Sequence, residues 1–350
     1  MQWLINRRHG NGTQPDIIHC HDWSTAPVAK MYWDWAHHSG LDNPKVVFTT
    51  HNLEFGDAQV GEAMVYANKA TTVSPAYAKE ISCHPAVKSH LGKFSGIRNG
   101  IDYAFWDPMN DMHIPKDLHY SFETAPRLKP KVKLELQNRL NLDHAEVPAV
   151  CVITRLTDQK GVSLIERAAY RTLERGGQFI LLGSAPDPKV QSHFESLGGK
   201  LESQNRGRCR FVLCYDEPLS HMIYAGADMI VVPSMFEPCG LTQLIAMRYG
   251  TIPVVRKTGG LSDTVFDLDH DKERCAAWGP PNGPNGFNFE GTDNGSLDNA
   301  LDRAMDTWYN SRENGFWYKE FVPRLMRQDW TWNEPVEEYL NLYWKTRLNR

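Results

Sequence analysis

The sequence predicts an α/β protein built from two Rossmann-like, doubly wound lobes. Three observations carry that expectation. Short β-branched runs alternate with helical patterns along the whole chain, as βαβ units require. The later runs are almost wholly apolar, the composition of parallel strands covered on both faces. The chain has 350 residues, 41% hydrophobic and 23% charged, enough to close two cores.

In the first third, strands are expected at PDIIHC (15–20), KVVFTTH (45–51), ATTVS (70–74) and GIRNG (96–100). Helices are expected at 26–35, around 60–68 and at 75–81. FWDPMNDMHIP (105–115) is rich in breakers and poor in periodicity, and reads as a linker. The second series is more regular. Helix 131–140 leads to strand VCVIT (150–154), helix 164–174, strand FILLG (179–183) and helix 189–197. Strand RFVLC (210–214), helix 219–225, strand MIVVPS (229–234), helix 241–249 and strand IPVVR (252–256) follow. GPPNGPNG (279–286) is turn chemistry, and helices follow at 297–309, 316–327 and 334–348. The expected divisions are 1–116, 117–320 and a helical segment 321–350. The first lobe opens almost at once with a strand, so its own first βα unit is not seen. The ligand is expected in a cleft where strand ends from both lobes face each other.

Composition excludes several classes. Net charge is −4 and the 38 basic residues are scattered, which argues against a nucleic-acid binder working through a basic patch. No apolar run reaches bilayer length, and MQWLINRRHG has no apolar core of a secretory signal. The seven cysteines form no CxxC pair and are odd in number, so free thiols in a reducing compartment are expected.

Chemistry concentrates in the loops after strands. In TRLTDQKG, Arg155 and Lys160 follow strand 150–154, where a bidentate fork and a point charge can converge on a diphosphate. The alternative is two solvated surface cations. In MFEPCGLTQLIAMRYG, Glu237 precedes Gly240, Leu241 and Thr242 at a helix start, whose N–H groups are an anion site. Glu237 can accept from sugar hydroxyls or steady developing positive charge, or it is a helix-dipole cap. Cys239 reads as a small apolar filler. In KTGGLSDTV, Lys257 and Thr258 precede Gly259 and Gly260, which allow close backbone approach to a phosphate or sugar, or form an ordinary turn.

HCHDW places His19 and His21 on one face of a strand end, which invites zinc, but no third ligand is near. No metal is therefore assigned: His21 is expected to make polar contacts to a ligand, and Asp22 to cap the next helix. DLDHD (267–271) fails as a calcium loop, with Lys272 and Trp278 at the sixth and twelfth positions, and reads as a solvated acidic turn. The aromatics Trp317, Trp330, Trp332, Tyr339 and Tyr343 read as packing rather than sugar stacking.

In order along the chain, HCHDW, FTTHNLEFG, TTVSPAYAKEI, NGID, TRLTDQKG, YDEPLSHMIYAGAD, FEPCGLTQ and KTGGLSDTV resemble the starch and bacterial glycogen synthases that use ADP-glucose (glycosyltransferase family 5). LLGSAPDP, TVFDLDHDKER and QDWTW look most like the class III soluble starch synthases of plants and green algae. The resemblance implies a GT-B fold, with the C-terminal helix returning to the first lobe. It implies retaining transfer of glucose from ADP-glucose to the non-reducing end of an α-1,4-glucan, in a plastid stroma or on a starch granule. Arg155 and Lys160 then match the pair that neutralises the departing diphosphate, and Glu237 the acidic residue near the donor sugar. Gly240, Leu241 and Thr242 match the backbone cradle, with Cys239, Lys257, Thr258, Gly259 and Gly260 beside them on the donor side. Tyr215 matches an aromatic that stacks on adenine, and His21 a histidine that meets glucose. Asp22, His51, Asn52 and Asn99 fall on the acceptor side or are structural.

No cofactor or metal is implied, and neither nucleic acid nor membrane. The implied partners are ADP-glucose, an α-1,4-glucan and other starch-biosynthetic enzymes. The family's N-terminal Lys-x-Gly-Gly-Leu loop has no counterpart here, so an incomplete first lobe is expected. The second Glu found eight positions after the first in many GT-B transferases is replaced by Ile245. Two other readings stay open: a truncated, catalytically impaired glucan- or partner-binding form, and another GT-B nucleotide-sugar glucosyltransferase.

Overall fold

The computed structural model describes residues 1–7, 14–276 and 283–348. The chain divides into two compact units, Met1–Gly100 with Thr331–Arg350, and Ile101–Trp330.

The first unit runs α1 (Gln2–Arg7), β1 (Ile17–His21), α2 (Asp22–Met31), β2 (Lys45–Thr50), α3 (Asp57–Tyr66), β3 (Lys69–Thr72), α4 (Pro75–Glu80) and β4 (Phe94–Gly96). The four strands are parallel in the order β1-β2-β3-β4. Val46, Val47 and Phe48 of β2 are fully buried, which explains why KVVFTT shows no polar alternation. The threonines beside them satisfy one another: the Thr49 and Thr71 hydroxyls lie 2.6 Å apart, and Thr72 donates to the Thr50 carbonyl. β4 ends at Gly96 instead of running on to residue 100. A Cβ at Gly96 would collide with the Ser74 carbonyl, so the strand pairs only where that close approach is possible.

The second unit contains α5 (Ala125–Arg139), β5 (Ala149–Ile153), α6 (Val162–Glu174), β6 (Gln178–Leu182), α7 (Pro188–Gln204), β7 (Cys209–Val212), α8 (Glu217–Gly226), β8 (Met229–Val232), α9 (Thr242–Arg248), β9 (Ile252–Arg256), α10 (Gly259–Thr264), α11 (Lys272–Ala276), β10 (Phe287–Phe289), α12 (Asn294–Asn314) and α13 (Val322–Met326). α14 (Asn333–Leu348) closes the chain and belongs to the first unit. The second sheet is parallel, ordered β10-β9-β8-β5-β6-β7. From β5 the chain proceeds outward through β6 and β7, then crosses back to β8 beside β5 and proceeds the other way. The reversal lies between β5 and β8, where an open α/β sheet leaves a crevice at its carboxyl edge.

Several expectations are corrected by packing. The 105–115 segment is not a linker: Ile114 and Asp111 are buried, and Trp106 stacks on His221 with ring centroids 4.2 Å apart. The boundary consequently falls at residue 100 rather than 116, and Trp330 keeps the second unit together as far as residue 330. α5 begins six residues before 131 and carries Pro130 inside it. Its buried Lys129 holds the place, donating to the carbonyls of Ala225 and Tyr249 and to the Thr251 hydroxyl. β10 is only three residues long, too short to leave a period.

The 267–271 turn is not a solvated one. Asp267 is fully buried and grips the Arg303 guanidinium through both oxygens, at 2.9 and 3.0 Å. The aromatic tail divides: Trp317 and Trp330 are buried, Trp332 and Trp344 exposed. All seven cysteines are free. No described helix is long and apolar enough to cross a membrane. Residues 279–282 of the expected turn lie outside the described residues.

Candidate functional site

Three loops leave the carboxyl edge of the second sheet around the β5/β8 reversal. The first, after β5, carries Arg155 and Lys160. Gly161 ends it at φ 73°, a left-handed conformation in which a side chain would also strike the Pro233 carbonyl. The second, after β8, carries Glu237. The two loops are stitched together. Met235 N–H donates to the Gln159 carbonyl at 2.7 Å, and the Gln159 amide donates to the Phe236 carbonyl at 3.2 Å.

Lys160 Nζ then meets Glu237 Oε2 at 2.6 Å, and the Ser234 hydroxyl donates to the same oxygen at 2.8 Å. Glu237 is 8% exposed. The third loop, after β9, packs under the second: Gly260 N–H donates to the Glu237 carbonyl at 2.9 Å. A Cβ at Gly259 would collide with that carbonyl, and one at Gly260 with the Cys239 carbonyl. The glycine pair is therefore needed for loop-on-loop contact.

Gly240 has φ 71°, and the Gln243 amide donates to its carbonyl at 2.7 Å, which turns the chain into α9. No side chain caps the start of this seven-residue helix, and Leu241 is 44% exposed there. Arg155 is exposed, and its guanidinium makes no hydrogen bond or ion pair among the described residues. It lines a cavity of about 320 Å³ together with Phe105, Trp106, Tyr215 and Glu217. Ile153 and Thr154 wall this cavity and also a small adjoining pocket lined by Lys160, Ser234, Glu237 and Thr242. Tyr215 is 83% exposed and donates to Glu217 Oε2 at 2.8 Å.

Arg155, Lys160, Tyr215, Glu237 and Thr242 thus line adjoining hollows, while Gly259 and Gly260 pack on the backbone of Glu237 and Cys239 and hold that loop in place. Lys257 does not join them. Its ammonium points to Glu290, 3.6 Å away, and Thr258 is buried at the start of α10. Ser234, Gln159 and Gln243 belong to the site and were not singled out by the sequence. The one local clue was Ser234, three residues before Glu237.

His21, Asp22, His51 and Asn52 lie in the first unit, at the carboxyl ends of β1 and β2. His21 Nδ1 is 3.0 Å from His51 Nε2. Asp22 does not cap α2; its Oδ1 accepts the His51 backbone N–H at 2.6 Å, across the sheet edge. His51 adds a third histidine beside His19 and His21, but both nitrogens of His19 are occupied, by Tyr343 Oη and Thr49 Oγ1 at 2.7 Å each. Burial first, then His21 and His51, pull the His19 pKa down to about 4, so this ring is neutral. Asn99, also of the first unit, is half-buried just after β4.

A family profile described as "Starch synthase catalytic domain" matches residues 2–62, and one described as "Glycosyl transferases group 1" matches residues 147–287. The chain is 56% identical over 336 residues to soluble starch synthase 3, chloroplastic/amyloplastic, of Solanum tuberosum, covering 96% of this chain and 27% of that protein. It is 39% identical over 375 residues to probable glycogen synthase 2 of a Nostoc strain, covering 96% of this chain and 74% of that one. The solved catalytic domain of starch synthase IV from Arabidopsis thaliana, bound to ADP and acarbose, superposes with a TM-score of 0.88 at 38% identity. It covers 99% of this chain and 76% of that one. The chain spans about a third or less of the length of the plant starch synthase 3 proteins it matches.

Proposed function

This chain belongs to the starch synthase and bacterial glycogen synthase family, with the GT-B fold class, and from that premise we propose that it is an ADP-glucose:α-1,4-glucan glucosyltransferase of starch biosynthesis. The observation that carries the reading is the pairing of Lys160 with Glu237 at the β5/β8 reversal, beside the Arg155 guanidinium, which is unpaired among the described residues.

Glycosyl transfer breaks the bond between the anomeric carbon and the diphosphate oxygen. Positive charge grows on the sugar while negative charge grows on the leaving group. Arg155 and Lys160 meet the departing diphosphate, as a fork and a point charge preorganised at one end of the sheet. Glu237, held by Lys160 and Ser234, faces the growing positive charge or a sugar hydroxyl. The new bond joins the same carbon to a terminal glucan hydroxyl, whose proton leaves with the departing ADP, and the anomeric configuration is retained. Cations already in place supply the charge stabilisation, so the proposal includes no metal or cofactor in the reaction.

Tyr215, at the mouth of the cavity, is assigned the adenine ring. That a similar protein was solved with ADP supports a nucleotide in this hollow. The names of the plant relatives support residence in a plastid. Glucans and other starch-biosynthetic enzymes are the proposed partners.

The test is incubation of the purified chain with labelled ADP-glucose and glycogen. Label in the glucan, lost in Glu237→Ala, supports the reading. Retention on glucan without label transfer points to a binding form instead. Incorporation only from another nucleotide sugar points to a different GT-B transferase.

A further inference from the structure

One cluster of ligand-bearing side chains has no assigned part in the transfer reaction, although its Glu217 also lines the Arg155 cavity and accepts the Tyr215 hydroxyl. His113 lies in the turn segment after Trp106, and Glu217 and His221 lie four residues apart on one face of α8. One nitrogen or carboxylate oxygen of each falls within 4.8 Å of the other two.

The state of His221 points independently to a ligand. The residue is 1% exposed, and its Nδ1 is 2.7 Å from Asp111 Oδ2. An ionised carboxylate only accepts, so Nδ1 carries a proton, and in the neutral ring Nε2 then offers its lone pair. That buried Nε2 has no hydrogen-bond partner among the described residues. A buried acceptor left unmatched is costly, and a cation on the lone pair would recover that cost.

The surroundings hold the ligands in place. Asp111 Oδ1 accepts the His113 N–H at 2.9 Å, and Asp111 Oδ2 accepts the Tyr249 hydroxyl at 2.6 Å. His119 Nε2 pins the same turn through the carbonyls of Asp111 and Ile114, at 2.9 and 3.1 Å. Trp106 stacks on the His221 imidazole at an interplanar angle of 17° and fixes its plane. A carboxylate on one nitrogen of an imidazole, with the other nitrogen left for the ion, is the outer-shell arrangement of histidine metal sites.

We propose that His113, Glu217 and His221 form a binding site for a divalent transition metal, with Zn²⁺ as its best-suited occupant. Two imidazoles and one carboxylate are a zinc-type donor set with a fourth position left for water. His113 and Glu217 are only half-buried, so the cluster has a path to solvent. The site does not depend on the transferase reading, because none of its ligands is assigned a part in bond breaking.

The experiment uses the full chain, stripped with a chelator and titrated with Zn²⁺ against a chromophoric competitor, then with Co²⁺ as a spectroscopic stand-in. One equivalent of tight zinc is expected. The cobalt form is expected to show visible ligand-field bands without thiolate charge transfer, because the ligands are nitrogen and oxygen. His113→Ala and Glu217→Gln, checked for folding by circular dichroism, should each weaken zinc binding by about tenfold or more. His113→Ala keeps the backbone bond to Asp111, so the turn is retained. Three results would overturn the site: no saturable binding by the unaltered chain, a thiolate band in the cobalt form, or unchanged affinity in both variants. The last would place the metal elsewhere, for instance at the histidines of the first unit.

Discussion

Lys160 Nζ and Glu237 Oε2 lie 2.6 Å apart although 77 residues separate them in the chain. The contact exists because β5 and β8 are neighbours in the sheet, which sets the loops that follow them side by side. Glu237 is mostly shielded from water, so the pair interacts more strongly than a surface ion pair does.

Replacing Lys160 by Ala should therefore have two effects. Turnover should fall by about 10²–10³, the usual loss for a preorganised group facing transition-state charge. The melting temperature should also drop, because the Glu237 carboxylate keeps only Ser234 as a side-chain partner among the described residues; the loss is about 1–3 kcal/mol. Initial rates and thermal melts measured on the same preparation check both, and near-normal turnover would remove Lys160 from the mechanism.

Arg155→Ala should separate these effects. Its guanidinium is exposed and unpaired among the described residues, so the melt should stay within about 0.5 kcal/mol of the parent. Turnover should still fall by orders of magnitude if the guanidinium meets the diphosphate. A matching loss of stability would mean a structural role instead.

Gly260→Ala tests the loop stacking. The added methyl meets the Cys239 carbonyl, which is backbone and cannot swing aside. Destabilisation of more than about 1 kcal/mol is expected, with a loss of activity larger than the unfolded fraction explains, because Glu237 is displaced with its loop. Denaturation midpoints and rates below the transition decide it. Gly199→Ala, where a Cβ meets nothing within 4 Å, is the matched control.

His19 predicts a pH dependence of stability. Its folded pKa is lowered to about 4 from an ordinary 6.5, chiefly by burial. Between those values the unfolded chain binds a proton that the folded chain does not. Stability should therefore fall as pH drops from about 6.5 to about 4, with no further contribution from His19 below that. His19→Gln should be less stable than the parent at neutral pH, where the two hydrogen bonds of the ring are lost, but should lose less stability over this window. Urea midpoints at a series of pH values measure the difference, and parallel curves for the two proteins would refute it.

Much of this arrangement was legible in the residues. The apolar runs located nine strands, and the polar loops after them located Arg155, Lys160, Glu237 and the glycine pair, because parallel strands place chemistry at their carboxyl ends. What escaped depended on partners far along the chain. Asp267 looked like a solvated acid because Arg303 is 36 residues away. Asp22 looked like a cap because the N–H it accepts belongs to His51, on another strand's loop. Lys257 looked like part of the donor side, yet its ammonium is directed at Glu290, beyond β10. His113 gave no signal, since its neighbours Glu217 and His221 arrive from α8.

By itself, then, the sequence determined where most strands and helices lie and which polar loops follow the strands, since those follow from local apolar period and turn chemistry. The tertiary structure alone decided which loop faces which. The crossing from β7 back to β8 beside β5 brings Lys160 to Glu237 and shapes the hollow next to Arg155. That choice rests on burying both faces of the sheet at once, a collective property of packing that no stretch of residues carries alone.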